Sequence, residues 1–167
     1  MHLSSRITDE LRVLLQHCVS AKGYASNVGA LVHIGQIQGQ AEDAPATWVI
    51  PGPQELTQRY GPIAEIKRSF SVRAFADLRD VPSWGSASPA ERELIEVELV
   101  DQIMYDMYRR LILWDELPSF AELVDDVSVG RSTPGYSEDG GTRVGAGVDL
   151  VVTYRVDPSD PSTPIAY

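Results

Sequence analysis

Residues 64–78 alternate with a period of two along their length, and that pattern restricts the fold more than any other in the chain. Ile66, Phe70, Val72, Ala74, Ala76 and Leu78 fall on even positions, with Lys67, Ser69, Ser71, Arg73 and Asp77 on odd ones. Successive side chains of a strand point to opposite faces, so the run requires a sheet with one face covered and the other polar. Arg68 interrupts the apolar set and is expected to mark where the strand leaves the core. The cover for that sheet is encoded directly downstream. Ser88-Pro89-Ala90-Glu91 is a capping box with proline at the first helical position, in which serine and glutamate side chains satisfy amides the first turn leaves unpaired. The helix it opens extends to about Trp114, with Leu94, Val97, Val100, Met104, Met107, Leu111 and Trp114 on one stripe and Ile95, Leu99 and Ile103 beside it. Glu91, Glu93, Glu96 and Glu98 near its start and Arg109 and Arg110 near its end complement the helix dipole. Pro118 is expected to end the segment.

The remaining elements are shorter. Leu3, Ile7, Leu11, Leu14 or Leu15, and Cys18 define an amphipathic helix over about residues 5–20, with Ser5 as its cap and Gly23 placed to end it. Asn27-Val28-Gly29 reads as a turn, and residues 30–34 as a strand. After a polar loop, residues 38–45, a second strand over 46–50 is expected to stop at Pro51-Gly52-Pro53, because proline cannot donate to a ladder. Residues 54–62 read as a loop or a single helical turn. Strands over 121–130 and 144–156 follow, separated by a polar loop, 131–143, with three prolines then keeping residues 157–164 extended. The order α-β-β-β-α-β-β predicts an α+β fold. Its sheet is mostly antiparallel or mixed, with a short N-terminal helix and one long helix packed on one face. Residues 1–156 form one domain in this reading, and 157–167 an extended proline-rich tail.

Composition narrows the function. Lys and Arg number 14 against 24 Asp and Glu, a formal charge of −10 in 167 residues, which argues against a partner held through phosphates. No apolar run is long enough to span a membrane, the N-terminus lacks the layout of a secretory leader, and the single cysteine permits no internal disulfide. No G-x-S-x-G occurs, and Cys18 lies on an apolar stripe where a thiol is expected to be inert. His2, His17 and His33 have no ligand spacing, and the glycine-rich stretch 140–147 lacks the lysine of a phosphate loop. Asp125-Asp126 and Glu138-Asp139 read as solvated carboxylates. No catalytic, cofactor-binding or metal-binding residue is assigned, no cofactor is expected, and the chain is not expected to be an enzyme.

Taken together, the elements resemble the small tail terminator, or tail completion, proteins of long-tailed bacteriophages. The resemblance covers residues 7–156. It is carried by the N-terminal helix running into Gly23-Tyr24, by Gly29-Ala30-Leu31-Val32-His33-Ile34-Gly35, and by Ala46-Thr47-Trp48-Val49-Ile50-Pro51-Gly52. The long strand 66–78, the acidic-then-basic helix 88–113 and the last strand, Ala146-Gly147-Val148-Asp149-Leu150-Val151-Val152-Thr153-Tyr154, complete it. The end after Val156 and the loop 131–143 stand outside it. The resemblance implies a homohexameric ring at the tail–neck junction of a virion assembled in a bacterial cytoplasm. Such a ring would cap the tail tube protein, end tube polymerisation and meet the head connector or neck protein. In a contractile tail it would also touch the sheath protein. DNA would pass through the ring without being gripped, and no membrane is involved.

A closed ring needs two different patches on each subunit. On this view Arg68 and Arg73, on the exposed side of the strand 66–78, would meet Glu96 and Glu98 of the next copy's long helix; the alternative is that all four are solvated charges. Trp84, in the loop 80–87, is either an anchor for tube or connector or a packing residue. Arg131, Glu138, Asp139 and Arg143 are further contact candidates, in a loop that, like 36–45 and 80–87, is expected to order on contact. Two rival functions remain open: a neck protein of the same virion, and a small monomeric domain binding a ligand in an apolar pocket between the sheet and the long helix.

Overall fold

The alternating run forms β3 (Ile63–Asp77), the middle strand of the sheet. In the computed structural model, which describes residues 2–37, 44–138 and 140–165, six strands pair. They are β1 (Val32–Ile34), β2 (Ala46–Tyr60), β3, β4 (Asp126–Gly135), β5 (Arg143–Asp157) and β6 (Asp160–Pro164), in the order β1-β2-β3-β5-β4, with β6 on the end of β5. The β1–β2 pair is parallel and the others antiparallel. Three α-helices, α1 (Leu3–Leu15), α2 (Pro89–Ile112) and the short α3 (Pro118–Ala121), complete an α+β fold with a mixed sheet, as the element order predicts.

Alternation decides what the sheet buries. Ala64, Phe70, Val72, Ala74 and Ala76 of β3 are buried with Val148, Leu150 and Val152 of β5, under Ile7, Leu11 and Leu14 of α1 and Ile103, Met107 and Leu111 of α2. Each buried Val, Leu, Ile, Phe or Met among them contributes about 1.5–3 kcal/mol by leaving water, and each alanine methyl under about 1 kcal/mol. A smaller cluster, Leu78, Val100 and Val144, closes the end of the sheet where β3 hands over to α2. The capping box is formed: the Ser88 amide donates to Glu91 Oε2 at 2.7 Å, and Ser88 Oγ accepts from the Glu91 amide.

Several expectations are corrected. Strand β2 does not stop at Pro51 but runs to Tyr60. Strand β1 pairs only with Thr47 to Val49, so β2 is an edge strand beyond that point, and its register shifts between Pro51 and Gln54. Proline is tolerated in both settings. The segment beyond it is therefore one arm of a β2–β3 hairpin, closed by Gly61-Pro62 with Tyr60 opposite Ile63. A positive φ of 62° at Gly61, followed by proline's fixed negative φ, matches a type II′ turn. Helix α1 starts at Leu3, so Ser5 lies inside it; the cap position is His2, with no side-chain cap bond. Gly23, at φ 80°, ends a separate 3₁₀ turn, Ser20–Lys22, rather than α1. Helix α2 ends at Ile112, and Pro118 opens α3, where a missing amide costs nothing. Strand β4 begins at Asp126 and takes in the first half of the expected 131–143 loop. Residues 160–164 are extended as expected, but they pair with β5 instead of trailing.

Arg68 does not mark an exit from the core. It sits on the covered face, with Ala64 buried beyond it; its guanidinium lies 5.4 Å over the Phe70 ring and donates to Ser4 O at 3.3 Å. The long stem runs along apolar neighbours while the charged fork reaches the first turn of α1.

Candidate interaction surfaces

Alternation places Arg73 on the uncovered face of the sheet, opposite to Arg68, so the two cannot form one patch. Trp48 is the cross-strand partner of Arg73 and shares that face. It is nonetheless only 7% exposed, because His33 stacks on it at 5.0 Å and Phe75 meets it edge-on at 5.6 Å. The Arg73 guanidinium lies over Gly147, where an added Cβ would fall 2.4 Å from Nη1. From there Arg73 Nη2 donates to Asp149 Oδ1 at 3.1 Å, and Ser71 Oγ donates to the same oxygen at 2.5 Å. The Ser71 hydrogen bond, and then the charge of Arg73, hold the Asp149 carboxyl below its ordinary range. Arg73 thus has its carboxylate partner within the chain.

The two glutamates also separate. Glu96 Oε1 accepts from the Ser137 amide and, at 2.7 Å, from Ser137 Oγ, which ties the β4–β5 connection to α2. Glu98 is exposed and accepts from Gln102 Nε2 at 3.3 Å, one turn on. The expected stripe of α2 divides as well. Val100, Met107 and Leu111 enter the core, but Leu94 is 71% exposed and Val97 is exposed too. At 100° per residue Leu94, Tyr105 and Ile112 fall within roughly 20° of one line, opposite Ile103 and Met107. All three are exposed, with Glu98 and Asp101 beside them. Helix α2 therefore carries a second apolar stripe on its solvent side.

A second exposed apolar group lies at the tip of the β2–β3 hairpin. Leu56 is 58% exposed and Tyr60 nearly as much, with Arg59 and Lys67 exposed around them. Leu56 and Arg59 oppose Ile66 and Ala64, so they share one face of the hairpin, whereas Tyr60 opposes Ile63 and points to the other face. Thr57 Oγ1 donates to Glu65 Oε1 at 2.8 Å and braces the register shift there.

The other contact candidates are dispersed. Trp84 is half-buried, with the Arg92 guanidinium 5.0 Å over its ring, and it packs on the Leu78, Val100 and Val144 cluster, so it serves as a packing residue. Arg131 is exposed at the β4 register shift. Glu138 is exposed, and its carbonyl accepts from the Gly141 amide at 2.7 Å. Arg143 opens β5 opposite Asp77. Asp139 lies outside the described residues, as does the 38–43 part of the first polar loop. Asp125 is not a solvated carboxylate: it takes a bidentate pair of bonds from Arg155, with Nε to Oδ2 at 2.8 Å.

A buried polar network carries no motif in the sequence. Asp106 of α2, 1% exposed, accepts from the Ser26 amide at 2.6 Å, Ser26 Oγ at 2.7 Å and the Ala25 amide at 3.3 Å. It caps the segment between α1 and β1 from outside. One turn on, buried Arg110 donates to Leu14 O at 3.3 Å and to Glu116 Oε2 at 3.2 Å. Arg109 lies 4.9 Å over the Tyr24 ring. The signal was that Asp106 and Arg110, one turn apart, fall on the same side of the helix as Ile103 and Met107. Cys18 lies against this network, and burial, then the Asp106 charge, pushes its thiol up to about 12. Such a thiol is a poor nucleophile at neutral pH.

The space between the sheet and α2 is filled by Val100, Ile103, Met107 and Leu111. Among the described residues, no group of three or more His, Cys, Asp or Glu side chains is placed to hold a metal. No helix among them is long and apolar enough to cross a membrane. Compared with protein-family models the chain matches none, and a search among curated proteins returns no significant match.

Proposed function

We propose that the protein is a structural subunit of a phage tail: a homohexameric ring that caps the tail tube, ends its polymerisation and offers a surface to the head connector. One observation carries the reading. Among the described residues, the exposed apolar side chains include two unlike surfaces, the solvent stripe of α2 and the tip of the β2–β3 hairpin, beside Leu31, Ile34 and Ile37 around β1 and Tyr136 after β4. Head-to-tail rings use two different patches per subunit, and exposed apolar groups gathered on one element commonly mark contact surfaces. The element order that underlies the resemblance to tail terminators supports the identity of the ring. Partners would be further copies of the chain, the tail tube protein, the connector or neck protein and, in a contractile tail, the sheath. The work is geometric: a closed ring seated on the last layer of the tube leaves no site for the next tube subunit.

The test is tube growth. Added to polymerising tail tube protein, the chain should bind tube ends and shorten the tubes in proportion to its concentration. Tubes of unchanged length with no bound chain would contradict the proposal. Binding to the portal-side connector in place of tubes would assign it to the neck, the second reading within the same machine.

A further inference from the structure

The hairpin tip and the start of the α2 stripe, at Leu94, lie at opposite ends of the sheet. Strand β3 spans roughly 46 Å from the hairpin turn to Asp77. The first half of α2 lies at the Asp77 end, where Ile95 and Leu99 pack on the Leu78, Val100 and Val144 cluster. No single chain can therefore bring its own hairpin tip onto its own stripe, whereas successive copies in a ring can. We propose that the subunit interface joins the hairpin tip of one copy, through Leu56 and Arg59 on one face, to the outward stripe of α2 of the next, through Leu94, Asp101 and Tyr105. This rests on the ring reading above and names the surfaces that make the ring.

Charge favours that pairing over like-with-like contacts. At the tip, Glu55 faces Lys67 across the strands and Glu65 is taken by Thr57. Arg59 is left on the face of Leu56 with no in-chain partner among the described residues. On the stripe, Glu98 and Asp101 flank the apolar groups, with Glu93 nearby. Two stripes facing each other would oppose carboxylates, and two hairpin tips would oppose arginines; tip on stripe opposes Arg59 to Asp101. Complementarity of this kind fixes register and suppresses the wrong pairings, while the leucine and tyrosine side chains supply the apolar contact.

Two variants of the full chain test the assignment. One carries Leu56→Glu and Arg59→Glu at the tip, the other Leu94→Glu and Tyr105→Glu on the stripe. All four positions are exposed, so each variant should melt as the wild type does. Each alone should self-associate at least about thirtyfold more weakly than wild type, the loss expected when one hot-spot contact is removed. Mixed, they retain one intact tip and one intact stripe between them, so they should form a dimer of about 37 kDa from two 18.3 kDa copies and go no further. A variant that still forms the wild-type oligomer, or a mixture that stays monomeric while wild type assembles, overturns the interface and leaves the ring standing. Stripe variants that form rings but no longer seat on tubes would give the stripe to the tube protein, which also overturns it. A wild-type chain that never assembles overturns interface and ring together.

Discussion

The carboxylate of Asp106 is the most consequential polar group in the fold, and its removal gives a quantitative test. In Asp106→Ala, the Ser26 amide, the Ser26 hydroxyl and the Ala25 amide all lose their acceptor. Ser26 is itself buried, so water does not replace the carboxylate. A hydrogen bond to a charged group contributes about 1.5–3 kcal/mol. Two short bonds and one longer one, less the cost of desolvating the carboxylate, give a loss of about 3–5 kcal/mol. For a domain of this size each kcal/mol lowers Tm by about 2–4 °C, so the melting point should fall by roughly 6–20 °C. Asp106→Asn keeps one acceptor oxygen and should lose about 2 kcal/mol, while Ser26→Ala removes only the hydroxyl arm and should lose about 1 kcal/mol. Urea and thermal denaturation followed by circular dichroism measure all three. Hydrogen exchange at Ser26 reads the local effect, which should be faster in Asp106→Ala even well below the melting point. A loss under about 1 kcal/mol in Asp106→Ala, or no change in exchange at Ser26, would refute the role given to this carboxylate.

Three further outcomes follow from the same geometry. Cys18 should resist iodoacetamide at pH 8 in the folded chain and react on denaturation; its folded value lies above the ordinary one, so the stability it contributes should be complete below about pH 9 and be lost as pH rises towards 12. Labelling of the native thiol at pH 8 would contradict its burial. Asp77 accepts from the Arg79 side chain and backbone, chiefly the side chain, and its carboxyl is drawn down to about 2; its stabilising effect should be full above pH 4 and fall away as pH drops through 2. Asp77→Asn should flatten that part of an acid titration, and an unchanged acid limb would count against the pairing. Gly145→Ala would place a Cβ 2.3 Å from the Ala74 carbonyl, a backbone atom that cannot yield, whereas Gly147→Ala meets only the movable end of Arg73. The first should lose about 2–3 kcal/mol and the second under about 1 kcal/mol, and denaturation curves in the reverse order would refute the account of why glycine stands there.

Much of the framework was legible in the sequence because it is written in local patterns. The period-two run fixed β3 and its buried set, and the capping box located the start of α2. What stayed hidden depends on neighbours distant in sequence. Pro51 looked like a stop because a lone strand cannot show whether its amide edge faces a partner; β1 is three residues long, so here it does not. Leu94 and Val97 joined the core stripe on periodicity alone, since helical spacing cannot say how far the sheet beneath α2 extends. Among the interface candidates, alternation should have separated Arg68 from Arg73, five residues apart and hence on opposite faces. The in-chain partners of Arg73 and Glu96, Asp149 and Ser137, lie across the fold and left no local trace.

Native mass of the purified wild-type chain tests the central claim most directly. Six copies of an 18.3 kDa chain weigh about 110 kDa, and that species is expected either alone or on tube ends, with the ring visible end-on by electron microscopy. A chain that stays at 18.3 kDa in both settings contradicts the ring, and with it the function proposed for the α2 stripe and the β2–β3 hairpin.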